Sequence, residues 1–289
     1  MSGLRSGDAA TLSPGIRAEG WRERLLAAFM RSPEHRMKHV GEWLLKRSLR
    51  LTDVSVVTST GVRYLLAPGD LVQREIVLHG AYEPDTLALV RRLLEPGDTM
   101  VDVGAHVGQF ALHASRAVGE SGTVVAVEPN PRTYQRLLHN IALNGARNVV
   151  PVLGAVSERA GVAPMQLPPE GNWGMSRIAA DGGADYRALS MPLSAILEAL
   201  GVRRVDVLKI DVEGVEELVL RSLDMSSDHR PRHIFLEFIP DLAAHQGGSA
   251  HRVLEWLRSS GYALLDVDGR PFDGTSALRE SNLWARDRR

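Results

Sequence analysis

The chain has 289 residues, 44% apolar and 24% charged, with a net charge of −1 and no cysteine. That suits one enlarged α/β domain of ordinary globular composition. It excludes disulfides, Cys-ligated zinc, iron–sulfur clusters and thiol catalysis. No apolar run approaches the roughly 18 residues of a membrane span. The N-terminus lacks the apolar core of a secretory signal, and a cytoplasmic protein is expected. Met1–Arg50 holds ten Lys/Arg against five Asp/Glu, or +5, which leaves −6 for the remainder. That excess is small for nucleic-acid binding and reads as a solvated cap helix.

Residues 1–18 are rich in Gly, Ser and Ala without apolar period and read as a disordered tail. Trp21, Leu25, Leu26 and Phe29, then Met37, Val40 and Leu44, fall at helical spacing. Their stripes must bury against the body of the protein or a second subunit, so a homodimer through these helices is open. Val54–Thr58 and Val62–Ala67 flank Ser59-Thr60-Gly61 as a β-hairpin. Residues 19–98 thus form a helical and hairpin cap, and 99–289 the catalytic domain.

Within that domain strands are expected at Thr99–Val103, Thr123–Val127, Val149–Val152, Val205–Ile210, His233–Phe238, Ala263–Val267 and Leu283–Ala285. A helix at Pro84–Leu94 precedes them, and others intervene at about 107–118, 131–143, 192–200, 214–222 and 249–259. Continuously apolar strands alternating with helices mean a doubly wound, mostly parallel sheet with helices on both faces. The Pro- and Gly-rich stretch at about 164–186 reads as an inserted binding loop or a simple β-hairpin.

The chemistry concentrates in Val101–Gly108, VDVGAHVG. Open α/β sheets bind ligands beyond the carboxyl ends of their strands, which places a site over Gly104–Gly108. The glycines let the backbone turn sharply and lie close to a ligand. A dinucleotide fingerprint needs a second glycine two residues after Gly104, where His106 stands. Asp102 would repel a pyrophosphate and attract a cationic amino acid. Glu128, 20 residues beyond Gly108, ends the next strand where an acid can accept ribose hydroxyls. S-adenosylmethionine (SAM) meets these conditions better than NAD.

Along Val205–Asp211, alternate residues share a face, so Lys209 lies beside Asp211. A buried ammonium there needs a carboxylate from Asp211, Asp102 or Glu237. An alcohol losing its proton to form an ether calls for a base. Asp211 and Glu213 are the first candidates. Lys209 would make Asp211 the better anchor, which leaves Glu213 or His106 as base. Asp211, Glu213 and Glu237 could instead hold magnesium, but Lys209 neutralises the cluster and no metal is expected. Trp173, Met175 and Ser176 could close over an apolar acceptor.

Taken together, GAYEPDTLALVRRLLEPGDTMVDVGAHVGQF, VVAVEPNP, GAVSE and DVLKIDVEGVE resemble the FkbM-type methyltransferases over roughly residues 80–220. The resemblance implies a class I, Rossmann-like fold with seven strands and a reversed last strand. It implies SAM-dependent O-methylation of natural products such as polyketides and sugars, hence a small-molecule acceptor. By it, Asp102, Gly104, Ala105 and Gly108 would hold the methionine part of SAM and Glu128 the ribose. Asn130 would line the adenosine side, Gly154, Ala155 and Val156 would lie beside the adenine, and Tyr82 and Glu83 would cover the cofactor. The family's usual asparagine in the glycine turn is His106 here.

Overall fold

The computed structural model describes residues 11–13, 16–18, 20–30, 53–167, 173, 176–179, 183–212, 214–238, 250–272 and 281–289. The expected helix around Met37–Leu44, and Met175 and Glu213 of the site, lie outside the described residues.

The N-terminal part holds strands β1 (Thr11–Ser13) and β2 (Ile16–Ala18), helix α1 (Trp21–Met30), and strands β3 (Val54–Val57) and β4 (Arg63–Leu66). Thr11–Ser13 and Ile16–Ala18 are thus strands where composition predicts a tail. Backbone pairing of β2 with β3 extends the hairpin, a gain that needs no apolar period. Helix α2 (Leu71–His79) was not expected either. Its signals are terminal: Asp70 accepts the Gln73 N–H, and Gly80 ends the helix at φ 91°. Helix α3 (Pro84–Leu93) completes the approach to the sheet.

Strands β5 (Thr99–Val103), β6 (Thr123–Glu128) and β7 (Val149–Leu153) alternate with helices α4 (Gln109–Val118) and α5 (Pro131–Asn144). A second sheet follows from β8 (Ala155–Val156), β9 (Gly161–Gln166), β10 (Arg177–Ile178) and β11 (Tyr186–Met191), ordered β10-β9-β11-β8. The chain then runs through α6 (Leu193–Ala199), β12 (Val207–Ile210), α7 (Glu216–Arg221), β13 (His233–Phe238), α8 (Ala250–Ser259), β14 (Tyr262–Leu265) and β15 (Ser281–Asp287).

The main sheet is ordered β14-β15-β13-β12-β5-β6-β7. Its pairs from β13 to β7 are parallel, whereas β15 lies antiparallel to both β13 and β14. This is the seven-stranded arrangement with a reversed last strand. Alternate residues of each strand feed opposite cores. Val101, Val103, Leu208, Ile210, Ile234 and Leu236 pack with residues of α6, α7 and α8. Met100, Val207 and Phe235 pack with residues of α3, α4 and α5. Asp102, Lys209 and Glu237 follow the second set by two residues and so share its face. The cap joins through Tyr64, Leu66 and Ile76 packed with Val107 and Leu112. His113 holds it there, its ring nitrogens facing Thr60 Oγ1 at 3.0 Å and Tyr64 Oη at 3.2 Å.

Candidate active site

The strand ends of β5, β6 and β12 open onto a narrow cleft. Gly104, Glu128, Ala155, Val156, Ser176 and Asp211 line it. Apolar Val103, Val127, Met165 and Ile178 line it too. Met165 and Ile178 come from the second sheet, which sequence reading had left as loop or hairpin.

The turn after β5 is built on left-handed residues: Gly104 at φ 87°, His106 at 51° and Gly108 at 90°. Its amides are spent within the protein. Gly104 N–H and Ala105 N–H both donate to Val127 O, and Gly108 N–H donates to Ala105 O. No cradle of free amides is left at these positions for a pyrophosphate. A Cβ at Gly108 would stand 2.6 Å from Leu137 Cδ1, so this glycine serves helix packing. Ala105 is likewise buried in the core beside α4.

Glu128 is 5% exposed and takes three donors. Asn130 N–H (2.9 Å) and Thr133 Oγ1–H (2.7 Å) reach Oε1, and His106 N–H (2.8 Å) reaches Oε2. Burial pushes its pKa up to about 7, against the lowering effect of those donors. Asn130 caps α5 by accepting the Arg132 N–H. Its amide donates to Trp173 O (3.0 Å) and Ser176 Oγ (2.8 Å), and Arg132 stacks 4.0 Å from the Trp173 ring centroid. Two predicted acceptor-side residues thus sit beside the adenosine-side asparagine.

A second group surrounds Lys209, which is 4% exposed. Its Nζ donates to Asp211 Oδ2 at 2.7 Å and lies 4.5 Å from the Phe110 ring centroid. Of the three carboxylates available by sequence, Asp211 is the one in direct contact. Burial alone would raise the Asp211 pKa, but the ammonium outweighs it and holds the carboxylate below its usual range. Glu237 goes the other way, pushed up to about 9 by burial and then by the Asp211 charge. It is the neutral member of this pair, and Tyr82 Oη donates to its Oε1 at 3.4 Å. Asp102 pairs in register with Lys209 and is 1% exposed; its carboxylate makes no side-chain hydrogen bond, and the backbone amide of Ala111 lies near it. Burial raises it to about 6, opposed by Lys209.

Sequence reading missed Gln109, whose carboxamide accepts the Tyr82 N–H at 2.8 Å and donates to Tyr82 O at 2.7 Å. That clamp precedes Glu83, held at φ 48° ahead of α3. It also missed Asp70, which reaches His106 from the cap at 3.6 Å. Neither has a signature in sequence spacing, because each acts across a long separation.

The buried Asp102 carboxylate and the acid at the end of β6 fit the ammonium and ribose of SAM. With the strand order, they define a class I SAM-dependent methyltransferase. Residues 102–264, more than half of the chain, match the family model of the methyltransferase FkbM domain, and the chain belongs to that family. It is 27% identical over 212 residues to 31-O-demethyl-FK506 methyltransferase FkbM of Streptomyces tacrolimicus, across 63% of this chain and 79% of that one. Methyltransferase sdnD of Sordaria araneosa is 29% identical over 169 residues, 48% of this chain, which spans 65% of the relative's length. The crystal structure of methyltransferase FkbM from Methylobacillus flagellatus aligns with 91% of this chain and 58% of its own. Its TM-score is 0.47 and its identity 15%. No described helix is long and apolar enough to cross a membrane.

Proposed function

We propose that the chain methylates a hydroxyl of a small-molecule natural product. The observation that carries this is Asp211, which lines the cleft and is fixed by Lys209, with the neutral carboxyl of Glu237 against it. An ionised and a protonated carboxyl side by side can accept from, and donate to, one hydroxyl. The relative from Streptomyces tacrolimicus, whose name specifies an O-demethyl substrate, supports the same chemistry.

SAM supplies an electrophilic methyl group. The protein's share is to bind and orient. Asp102 would hold the ammonium, Ala155 and Val156 would lie beside the adenine, and Tyr82 with Glu83 would cover the methionine end. Glu128 has about four acceptor directions; three are used by protein donors, so it receives one ribose hydroxyl at Oε2. The acceptor enters beside Trp173 and Ser176. In-line positioning then provides much of the rate.

A nicotinamide enzyme is disfavoured by the amides already engaged in the glycine turn. Thermal shift separates the two, with stabilisation expected from S-adenosylhomocysteine (SAH) and none from NAD. The hydroxyl is tested with SAM carrying a 13C-methyl group and a metabolite extract of the source organism. An ether methyl carbon in the product spectrum is expected; an N-, S- or C-methyl carbon would refute O-transfer.

A further inference from the structure

The side chain of His106 is more buried than a turn on the rim of a cleft requires. Its backbone is left-handed, a region that histidine tolerates better than most residues. The peptide is fixed there by the bond from His106 N–H to Glu128. The side chain is only 13% exposed, and neither ring nitrogen has a hydrogen-bond partner. Leaving such atoms buried and unpaired is costly, and a ligand hydroxyl would recover that cost.

Nε2 of the ring stands 3.6 Å from Oδ1 of Asp70. Asp70 is itself 1% exposed and held at both oxygens, by Gln73 N–H at 3.0 Å and by Trp173 N–H at 2.7 Å. Capping α2 explains the first bond, but not the pairing of this carboxylate with a buried imidazole. The opposite charges of Asp211 and Lys209 both act on the ring, and the Glu128 carboxylate accepts the His106 backbone N–H.

We propose that Asp70 and His106 form a buried carboxylate–imidazole pair that takes the proton of the acceptor hydroxyl. This rests on the reading of the site as an O-methyltransferase. Asp70 is the positioning residue: a proton on Nε2, turned toward its carboxylate, leaves the Nδ1 lone pair as the base. The acceptor oxygen bonds to the methyl carbon as the carbon–sulfur bond breaks. The electron pair of that bond stays on sulfur to give SAH, and the hydroxyl proton passes to Nδ1. The imidazolium so formed is stabilised by Asp70 and Asp211. Burial lowers the resting pKa of the ring, which keeps the base neutral before reaction.

The test needs no known acceptor. The His106 imidazole resonance, assigned by loss in His106→Asn, is titrated by NMR in the SAH complex and in the complex with sinefungin. Sinefungin carries an amine cation where SAM has its sulfonium. The variant Asp70→Asn removes the charge and keeps an acceptor oxygen for one of the Gln73 and Trp173 amides, so its melting temperature is measured beside the titration. We expect it to lower the His106 titration by about one pH unit, with SAH affinity within about twofold. We also expect a lower titration with sinefungin than with SAH, because the cation lies beside the ring. An unmoved titration in Asp70→Asn would overturn the pair, and equal titrations in the two complexes would overturn its place at the reacting atoms. Absence of SAH binding would instead sink the cofactor reading beneath it.

Discussion

The carbonyl oxygen of Asp211 occupies the place where a Cβ on residue 104 would stand. Asp211 N–H donates to Val103 O at 2.9 Å, so the two chain segments are locked together just past the ends of β5 and β12. Gly104 is therefore glycine because of the protein behind it, in addition to its φ of 87°. The contact fixes the position of Asp211, and with it Lys209, relative to the cofactor turn.

Gly104→Ala accordingly sets a methyl group against a backbone oxygen that cannot retreat without opening the sheet. It should destabilise the fold by about 3 kcal/mol or more and abolish SAH binding. Gly69→Ala, with open space around the added methyl, should stay within about 0.5 kcal/mol. Urea unfolding of the two variants makes the comparison. Equal stabilities would show that the turn can relax.

Asp102 offers a prediction about which half of the ligand it serves. Its carboxylate is buried one residue before the end of β5, and the proposed reading gives it the ammonium. Asp102→Asn should weaken SAH binding by about 1.5–3 kcal/mol, the scale of a hydrogen bond to a charged group. Binding of 5′-methylthioadenosine, which lacks the amino acid, should be unchanged. Calorimetry with both ligands decides. Equal losses would mean a structural role for Asp102.

The main sheet was legible because its strands are covered on both faces and read as apolar runs. The second sheet was not, and β11 explains why. Its inward residues are the small Ala188 and Ser190, while Leu189 points out at 71% exposure. The usual polarity of the pattern is inverted. Gly161 and Pro164 disguise β9 in the same way, since both residues ordinarily argue against a strand. In the site, Glu128 and the Lys209–Asp211 pair followed from local spacing. The Asp70–His106 and Gln109–Tyr82 contacts join parts of the chain 36 and 27 residues apart, and periodicity carries no such information.

Glu237 and Asp211 should respond differently to neutral replacement. Glu237 is held protonated, its pKa raised to about 9 by burial and by the Asp211 charge. A group raised on folding contributes stability below its unfolded pKa and loses it as pH climbs through the folded one. Wild-type stability should therefore fall relative to Glu237→Gln between about pH 5 and pH 9, because glutamine has no proton to lose. Asp211→Asn should destabilise at neutral pH, since it deprives the buried Lys209 of its contact carboxylate. Melting curves across this range test both. A parallel decline in wild type and Glu237→Gln would refute the protonated state.

Glu128 ties cofactor affinity to pH. Burial places its pKa at about 7, and a ribose hydroxyl needs the ionised form as acceptor. Binding limited by that ionisation should tighten roughly tenfold from pH 6 to pH 8. Asp102, near 6, titrates in part of the same window, so SAH alone would confound the two acids. The ligand that isolates Glu128 is 5′-methylthioadenosine, which keeps the ribose and lacks the ammonium. Its affinity should rise with pH in the wild type. In Glu128→Gln it should be weaker by about 1–3 kcal/mol at pH 8 and flat across the range. A wild-type profile that is equally flat would mean that the ribose is held elsewhere, and that Glu128 serves only the three protein donors around it.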